Sequence, residues 1–277
     1  MGKSKELSCV KWEIDDEGIA WITYNRPEKR NAMSPALHYD MVEAIAELEN
    51  EDDAKVLVIT GSGDAWSAGM DLREYFRATD NDPAERFKSF WAHRHWTQWV
   101  AASNKPTIAL VRGYCFGGAF TSLAACDIVI SAEGATYGLS EINWGILPGG
   151  NVSKVFADLA NYRNAMFYAM TGRTFDGKEA VTMGIATLAV PDDKLLDETV
   201  AVCRELMEKA PVVLAHTKQA MRSVMGMDNM DLAYEYLSTK GIAMKAVDPE
   251  QTRAKGMEEF LDKKTYRPGL GAVKRDD

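Results

Sequence analysis

The stretch PTIALVRGYCFGGAFTSLAACDIVISAE, residues 106–133, decides the fold class. It opens with an apolar run (106–113), as expected of a strand covered on both faces. A segment of small residues follows Gly117 and Gly118, as in a helix packed closely against a sheet, and a second apolar run (127–133) comes next. This order of strand, helix and strand predicts an α/β fold with buried strands.

The same pattern extends toward the N-terminus. Residues 9–24 are typical of two short strands around a turn, and residues 55–60 of another buried strand. Ser34 followed by Pro35 predicts the start of a helix, with Ser as N-cap and Pro in the first position. Apolar residues then recur on one face of that helix: Leu37, Met41, Ala44, Ile45 and Leu48.

Helical patterns dominate the rest of the chain. After two helices at 71–77 and 83–102, the sequence predicts helices over 152–170, 176–183, 192–209, 211–225 and 229–246. We therefore divide the chain into a core with the functional site, residues 1–210, and a helical C-terminal region, residues 211–277, that packs on a neighbouring subunit.

Composition excludes several classes of function. The chain has 277 residues and a net charge of −9, which disfavours nucleic acid as a partner. Its four cysteines are scattered and show no metal-ligand spacing, so we expect no metal and reduced thiols. With neither a signal-peptide pattern nor an apolar run of about 20 residues, we expect a cytoplasmic protein without a membrane partner.

Two glycine-containing loops are candidates for chemistry. Gly117 and Gly118 open one predicted helix, and SAGMDL (67–72) precedes another. Backbone amides from two such loops can converge on one oxygen as an oxyanion hole, which stabilises an enolate or a tetrahedral oxyanion. The alternatives are glycines that serve only helix packing and two unrelated turns.

An acidic residue lies among apolar neighbours in TYGLSEINWGILPGG, residues 136–150. Burial of Glu141 would raise its pKa, which suits a group that gives and takes protons near neutral pH. The alternative is a glutamate on a loop that faces solvent.

Three segments, NRPEKRNAMS, AGMDLREYF and YGLSEINWGI, together resemble the crotonase (enoyl-CoA hydratase/isomerase) superfamily. Within it, the chain is most similar to the hydroxycinnamoyl-CoA hydratase-lyases, which convert feruloyl-, caffeoyl- or coumaroyl-CoA to an aromatic aldehyde and acetyl-CoA. The resemblance implies a spiral of ββα units, with C-terminal helices that form trimers or dimers of trimers. It covers nearly the whole chain.

The resemblance also implies roles for individual residues. The amides of Met70 and Gly118 would form the oxyanion hole around the thioester carbonyl. Coenzyme A, which enters as part of the substrate, would bind along Lys29, Arg30, Ala68, Met70, Leu72 and Ser140. No separate cofactor is implied.

One departure from ordinary enoyl-CoA hydratases is informative. Those enzymes use two glutamates, and Thr121 occupies the position of the first, whereas Glu141 matches the second. The hydratase-lyase subgroup likewise has a hydroxyl residue at the first position, so Thr121 favours that subgroup. We assign catalysis to Glu141, Thr121 and the two oxyanion-hole amides.

Substrate recognition is the second departure. Tyr75 matches the phenol-binding tyrosine of the subgroup, although a packed helix aromatic is the alternative, and we assign Trp144 to the substrate as well. The subgroup supplies a second tyrosine from a neighbouring subunit, and Ser238 stands at that position here. Either Tyr234 or Tyr236 compensates, or the para-hydroxyl is held differently.

The histidines form no evident site in the sequence. His93 and His95 lie in a tryptophan-rich helix, where core packing is the favoured interpretation.

The sequence thus predicts a lyase that hydrates 4-hydroxycinnamoyl-CoA thioesters and cleaves the β-hydroxy intermediate to an aldehyde such as vanillin and acetyl-CoA. The alternatives are an enoyl-CoA hydratase or isomerase acting on other acyl-CoA substrates and a non-catalytic binding protein of the same fold.

Overall fold

Ten strands lie within residues 2–266, the part of the chain that the structure, a computed structural model, describes. They are β1 (Ser4–Glu6), β2 (Val10–Ile14), β3 (Ile19–Tyr24), β4 (Val56–Gly61), β5 (Thr107–Val111), β6 (Tyr114–Phe116), β7 (Ile128–Ala132), β8 (Thr136–Gly138), β9 (Thr174–Asp176) and β10 (Leu188–Val190). Seven of them form the main sheet in the order β1-β2-β3-β4-β5-β7-β10. The other three form a small sheet in the order β6-β8-β9.

The predicted buried strands are confirmed as the centre of the main sheet. From β3 onward the pairings β3–β4, β4–β5, β5–β7 and β7–β10 are parallel, whereas β1, β2 and β3 pair antiparallel. Every residue of β5 is buried, as its unbroken apolar run predicts. Helices link the parallel strands, so the α/β class is confirmed.

Ten α-helices accompany the strands within the described residues. They are α1 (Pro35–Glu49), α2 (Pro83–Ala102), α3 (Ala119–Ala125), α4 (Val152–Leu159), α5 (Tyr162–Thr171), α6 (Gly177–Thr182), α7 (Leu195–Met207), α8 (Pro211–Val224), α9 (Met230–Val247) and α10 (Thr252–Glu258). Shorter helical turns include Leu72–Arg77 and Ser140–Trp144.

Helix α1 begins where the sequence predicts. The Ser34 side chain accepts a hydrogen bond from the backbone N–H of Leu37, and Pro35 occupies the first turn. The whole predicted apolar face of this helix is buried, and His38 is buried with it.

Two expectations about secondary structure are wrong. Residues 152–170 form two helices instead of one, because the Asn161 side chain accepts from Asn164 N and caps a new helix. The short strands β6, β8, β9 and β10 have no counterpart among the predicted strands. Each has only three residues, too few to display a period-two pattern.

The C-terminal helices lie against the core through a buried cation. Lys218 on α8 donates to the carbonyls of Val100 and Lys105, and it pairs with Asp127 at 2.8 Å. Helix α8 begins at Pro211, the predicted boundary of the C-terminal region. Part of that region, residues 267–277, lies outside the described residues.

Apolar side chains on α8 and α9 remain exposed in the single chain. They include Met221, Met225, Met230, Leu232, Tyr234 and Ile242. Within residues 2–266 no helix is both long enough and apolar enough to cross a bilayer.

All four cysteines, Cys9, Cys115, Cys126 and Cys203, are free thiols buried in the core. Burial raises the pKa of Cys126 and of Cys203 to about 12, and that of Cys115 well above its usual value.

Candidate active site

A cavity of about 1400 Å³ opens where the two glycine-containing loops meet. Its lining includes Lys29, Arg30, Ala68, Met70, Leu72, Tyr75, Gly118, Thr121, Ser140, Glu141 and Trp144, which is every site residue predicted from the first 210 positions. Residues that the sequence did not single out also line it, among them Phe76, Arg86, Phe87, Phe90, His93 and Arg94.

The two loops are joined by backbone hydrogen bonds. Ser67 N donates to Tyr114 O at 2.9 Å, and Phe116 N donates to Ser67 O at 3.1 Å. Gly69 has a left-handed φ of +86°, and a Cβ there would lie 2.4 Å from Phe116 O and 3.3 Å from Gly118 N. Only glycine allows this approach, so the alternative of two unrelated turns is wrong.

Met70 and Gly118 lie close together at this junction, since a Cβ on Gly118 would lie 2.7 Å from Met70 Cγ. Neighbouring amides are engaged, since Met33 N donates to Gly69 O and Asp71 N to Met33 O. Within the described residues, no protein acceptor is found for the N–H of Met70 or of Gly118. Both residues line the cavity, so two amide donors remain available beside it.

A buried ion pair holds the Met70 loop in place. The Asp71 carboxylate accepts from the amides of Arg73 and Glu74 and so caps the Leu72–Arg77 turn. Arg26, only 7% exposed, pairs with Asp71 at 3.2 Å and with Glu74 at 2.7 Å. The loop that carries Met70 is thereby anchored at the next residue, Asp71.

Glu141 lies in the helical turn Ser140–Trp144 beside the second loop. A Cβ at Gly117, whose φ is +50°, would lie 2.8 Å from Glu141 Oε1. Glu141 Oε2 is buried without a hydrogen-bond partner. Burial raises the pKa of Glu141, as the sequence predicted, and the solvent-facing alternative is wrong.

The apolar neighbours in the sequence differ in burial. Leu139 is only 1% exposed, whereas Trp144 is 63% exposed and Leu147 78%, and Ile142 is exposed as well. The carboxylate also lies against Gly117 of the second loop. The expectation of a raised pKa agrees with the structure.

Thr121 lies on the first turn of α3 at the same end of the cavity. Its Oγ1 donates to Gly118 O at 2.7 Å and lies 2.9 Å from His93 Nε2. His93 comes from α2 and packs on core residues, as favoured from the sequence, but it lines the cavity as well. The signal for it was helical spacing, because Ser89, His93, Trp96 and Val100 share one face of α2.

His93 stacks on a second histidine. The ring centroids of His93 and His38 lie 4.6 Å apart, with 25° between the planes. Burial lowers the pKa of His93 to about 4 and that of His38 well below its usual value. Both rings are therefore neutral near pH 7.

Several exposed cations line the cavity. Lys29 and Arg30 lie at the end beside Tyr114, where the Arg30 guanidinium is 4.8 Å from the Tyr114 ring centroid. Arg30 and Asn31 both have left-handed φ, at +49° and +54°. The Asn31 amide donates to the carbonyls of Ser62 and Ala65, which holds the turn in this shape. An anionic group such as a phosphate fits this end.

Tyr75 lies on the Leu72–Arg77 turn and also lines the cavity. Its ring meets that of His38 edge to face, with centroids 5.6 Å apart, and burial raises its pKa. Aromatic residues from this turn and from α2 line the adjoining wall: Phe76, Phe87 and Phe90. This part of the cavity suits a flat, apolar group with a polar tip.

The C-terminal residues assigned to substrate binding lie away from this cavity in the single chain. Tyr234 is 77% exposed, and Ser238 is exposed on the same helix, α9. The Tyr236 hydroxyl lies 2.9 Å from Ser223 Oγ on α8. None of the three lines the cavity of its own chain.

Comparisons with known proteins agree with this geometry. The sequence model of the enoyl-CoA hydratase/isomerase family matches residues 15–267. A hydroxycinnamoyl-CoA hydratase-lyase of Pseudomonas fluorescens is 46% identical over 268 residues, covering 96% of each chain. A probable enoyl-CoA hydratase of Mycobacterium bovis is 30% identical over 250 residues, covering 90% of this chain and 93% of the relative.

A solved structure shares the fold. The crystal structure of an enoyl-CoA hydratase from Mycobacterium smegmatis superposes with a TM-score of 0.84 at 24% identity, covering 93% of this chain and 97% of the other. The predicted crotonase-like fold with its helical C-terminal region is therefore confirmed. On the family match and the close relative together, this chain belongs to the enoyl-CoA hydratase/isomerase family, the crotonases.

Proposed function

We propose that this crotonase hydrates the side-chain double bond of 4-hydroxycinnamoyl-CoA thioesters, such as feruloyl-, caffeoyl- and coumaroyl-CoA, and then cleaves the product to an aromatic aldehyde and acetyl-CoA. The observation that carries the proposal is one cavity lined by Glu141, whose Oε2 is buried without a hydrogen-bond partner, by Met70 and Gly118, whose amides are unpaired in the described chain, and by Thr121 in place of a second acid. The similarity to a hydroxycinnamoyl-CoA hydratase-lyase supports the same substrate class.

The first half of the reaction is hydration. Water adds through its oxygen to the β-carbon next to the ring, and the electron pair of the double bond moves onto the thioester as an enolate. The amides of Met70 and Gly118 donate to that enolate oxygen, where fixed donors stabilise the developing charge. Glu141 takes a proton from the water and returns a proton to the α-carbon, so its raised pKa suits the task.

The second half is a retro-aldol cleavage at the same residues. Glu141 removes the proton of the β-hydroxyl, the carbon–oxygen double bond of the aldehyde forms, and the Cα–Cβ bond breaks. Its electron pair becomes the enolate of acetyl-CoA, held by the same two amides. The α-carbon then takes the proton from Glu141, which regenerates the carboxylate. Atoms and electrons balance without a redox or metal cofactor in this scheme.

The two ends of the cavity fit the two ends of such a substrate. The cations Lys29 and Arg30 support binding of the coenzyme A phosphates, with Ala68, Leu72 and Ser140 along the path. Tyr75 and Trp144, which also line the cavity, are suited to the phenol ring and its para-hydroxyl. A hydrogen-bonded para-hydroxyl releases electrons toward the β-carbon and assists both steps.

We also propose that the enzyme acts in the cytoplasm as a trimer or a dimer of trimers. The exposed apolar side chains of α8 and α9 support this assembly, because apolar faces of this kind are normally covered. In such an assembly Tyr234, Tyr236 or Ser238 would reach the cavity of a neighbouring subunit.

The test is an assay of the purified protein with feruloyl-CoA. Thioester absorbance and aldehyde release are followed together, with crotonyl-CoA as the comparison substrate. The proposal predicts stoichiometric aldehyde and acetyl-CoA from feruloyl-CoA. Accumulation of the β-hydroxy thioester without aldehyde, or faster turnover of crotonyl-CoA, would instead favour the second candidate, a hydratase or isomerase, which the 30% identical relative supports.

A substitution at Glu141 tests its proposed role in proton transfer. Glu141→Gln keeps the size of the side chain but cannot exchange a proton. We expect at least a 100-fold loss of kcat, within the range of general acid–base catalysis, about 10²–10⁴-fold. Full turnover by this variant would remove the carboxylate from the mechanism.

A further inference from the structure

A line of contacting side chains leads from the cavity into the core. Thr121 Oγ1 lies 2.9 Å from His93 Nε2, and the His93 ring stacks on His38. His38 Nδ1 in turn accepts from Trp96 Nε1 at 3.3 Å. The mechanism above uses Thr121 and Glu141 but gives no part to His93, although His93 lines the same cavity.

We propose that His93 is a positioning residue that fixes the Thr121 hydroxyl, so that this oxygen holds the water that adds to the double bond. The inference rests on the proposed function, because it assigns the water to the side of the cavity where Thr121 replaces an acid. Glu141 remains the group that carries protons.

The hydrogen-bonding capacity of Thr121 indicates how this works. A hydroxyl has one proton and two lone pairs. The proton is engaged by Gly118 O at 2.7 Å, so His93 Nε2–H donates to one lone pair of Oγ1. The second lone pair is left to accept a hydrogen from water. The hydroxyl thus becomes a fixed acceptor, and restricting its rotation lowers the entropic cost of placing the water.

The surroundings of His93 suit a fixed neutral donor. Its ring packs against His38, at 4.6 Å, and against Trp96, at 5.8 Å between centroids. Trp96 Nε1 donates to Nδ1 of His38, so His38 carries its proton on Nε2. Burial keeps the pKa of His93 near 4, which makes it a poor base at neutral pH and consistent with positioning rather than proton transfer.

A double-mutant cycle tests the coupling. His93→Phe keeps an aromatic ring on His38 and removes Nε2, while Thr121→Val removes the hydroxyl at nearly constant shape. Each single variant is expected to lower kcat for feruloyl-CoA about tenfold with KM changed less than about twofold, and the double variant no further than either single one. Multiplying effects, about 100-fold in the double variant, would overturn the proposal.

Two further variants separate positioning from folding. The control is His95→Phe. His95 lies on the same helix, where it is exposed and stacks on Trp99. This variant should keep the wild-type kcat. His93→Gln retains a side-chain amide and should recover part of the kcat lost in His93→Phe. Wild-type kcat in His93→Phe would overturn the proposal.

A measurement without substrate covers the case in which the proposed function fails. If the wild type releases no aldehyde from feruloyl-CoA, that function is wrong, and the cycle is repeated with crotonyl-CoA, where the same coupling is expected. Independently, ¹⁵N NMR of the histidine rings should show His93 as the Nε2–H tautomer, with its signal shifted in Thr121→Val and that of His95 unchanged. An unshifted His93 signal would overturn the proposal, whether or not His93→Phe folds.

Discussion

The two walls of the cavity differ in how they are built. The inner wall consists of Gly69, Met70, Gly117 and Gly118, on loops joined by backbone hydrogen bonds, and of Thr121 on the first turn of α3. The outer wall, which consists of Trp144, Ile146, Leu147, Gly149 and Gly150, is exposed. Under the proposed function, the inner wall would bind the thioester carbonyl and the outer wall would contact the acyl group.

The largest effect should come from the smallest change on the inner wall. Gly117→Ala places a methyl group 2.8 Å from Glu141 Oε1 and displaces that carboxylate. A misplacement of about 1 Å can cost about 100-fold in rate, so we expect at least that loss of kcat for feruloyl-CoA.

The matched control lies on the outer wall. Gly150 also has a left-handed φ, +58°, but a Cβ there meets nothing within 4 Å. Gly150→Ala carries a similar backbone strain without the clash, and we expect kcat within about threefold of wild type. Equal losses in the two variants would show that strain, and not displacement of Glu141, determines the result.

A smaller and more selective effect is expected from the outer wall. Trp144→Ala removes an aromatic surface that lines the cavity, and aromatic pairs contribute about 0.5–1.5 kcal/mol beyond area burial. KM for feruloyl-CoA should rise about tenfold, while KM for crotonyl-CoA changes less than about twofold. Steady-state kinetics with both thioesters checks this, and equal increases would remove Trp144 from recognition of the ring.

The smallest effect is on stability, at the point where the two walls meet. Glu141 has a buried oxygen without a hydrogen-bond partner and a raised pKa. Ionisation of this carboxyl group therefore lowers the free energy of unfolding. Glu141→Gln should raise the melting temperature by about 1–3 °C at neutral pH.

The raised pKa of Glu141 also predicts how the stability gain in Glu141→Gln changes with pH. With a raised pKa in the folded state, the folded carboxyl holds its proton at pH values where the unfolded one has lost it, so stability falls as pH rises through that window. The gain in Glu141→Gln should therefore be larger at pH 8 than at pH 4. A gain that is independent of pH, measured by differential scanning calorimetry, would contradict the burial argument.

Much of this fold was predictable because long elements carry their own signals. The serine cap and apolar face of α1 and the unbroken apolar run of β5 are properties of single segments. The three-residue strands were missed because they form only by pairing with other segments of the chain, as β6 does with β8 and β10 with β7. Their formation depends on tertiary contacts that no short window of sequence contains.

The residues of the candidate site were likewise predictable only in part. The glycines, Thr121 and Glu141 were found from their segments and from resemblance to a family. His93 was missed because its partner Thr121 lies 28 residues away on another helix. The placement of Tyr234, Tyr236 and Ser238 in a binding site remains a prediction, since they lie outside the cavity of their own chain.

The burial of every cysteine has a practical consequence. A thiol reacts as its thiolate, and all four thiols are shielded from solvent. In Cys115, Cys126 and Cys203 the raised pKa also favours the protonated form. The cysteines should therefore tolerate air, storage without reductant and added electrophiles. Under the proposed function, an aldehyde product would meet no exposed cysteine that could add to its carbonyl carbon.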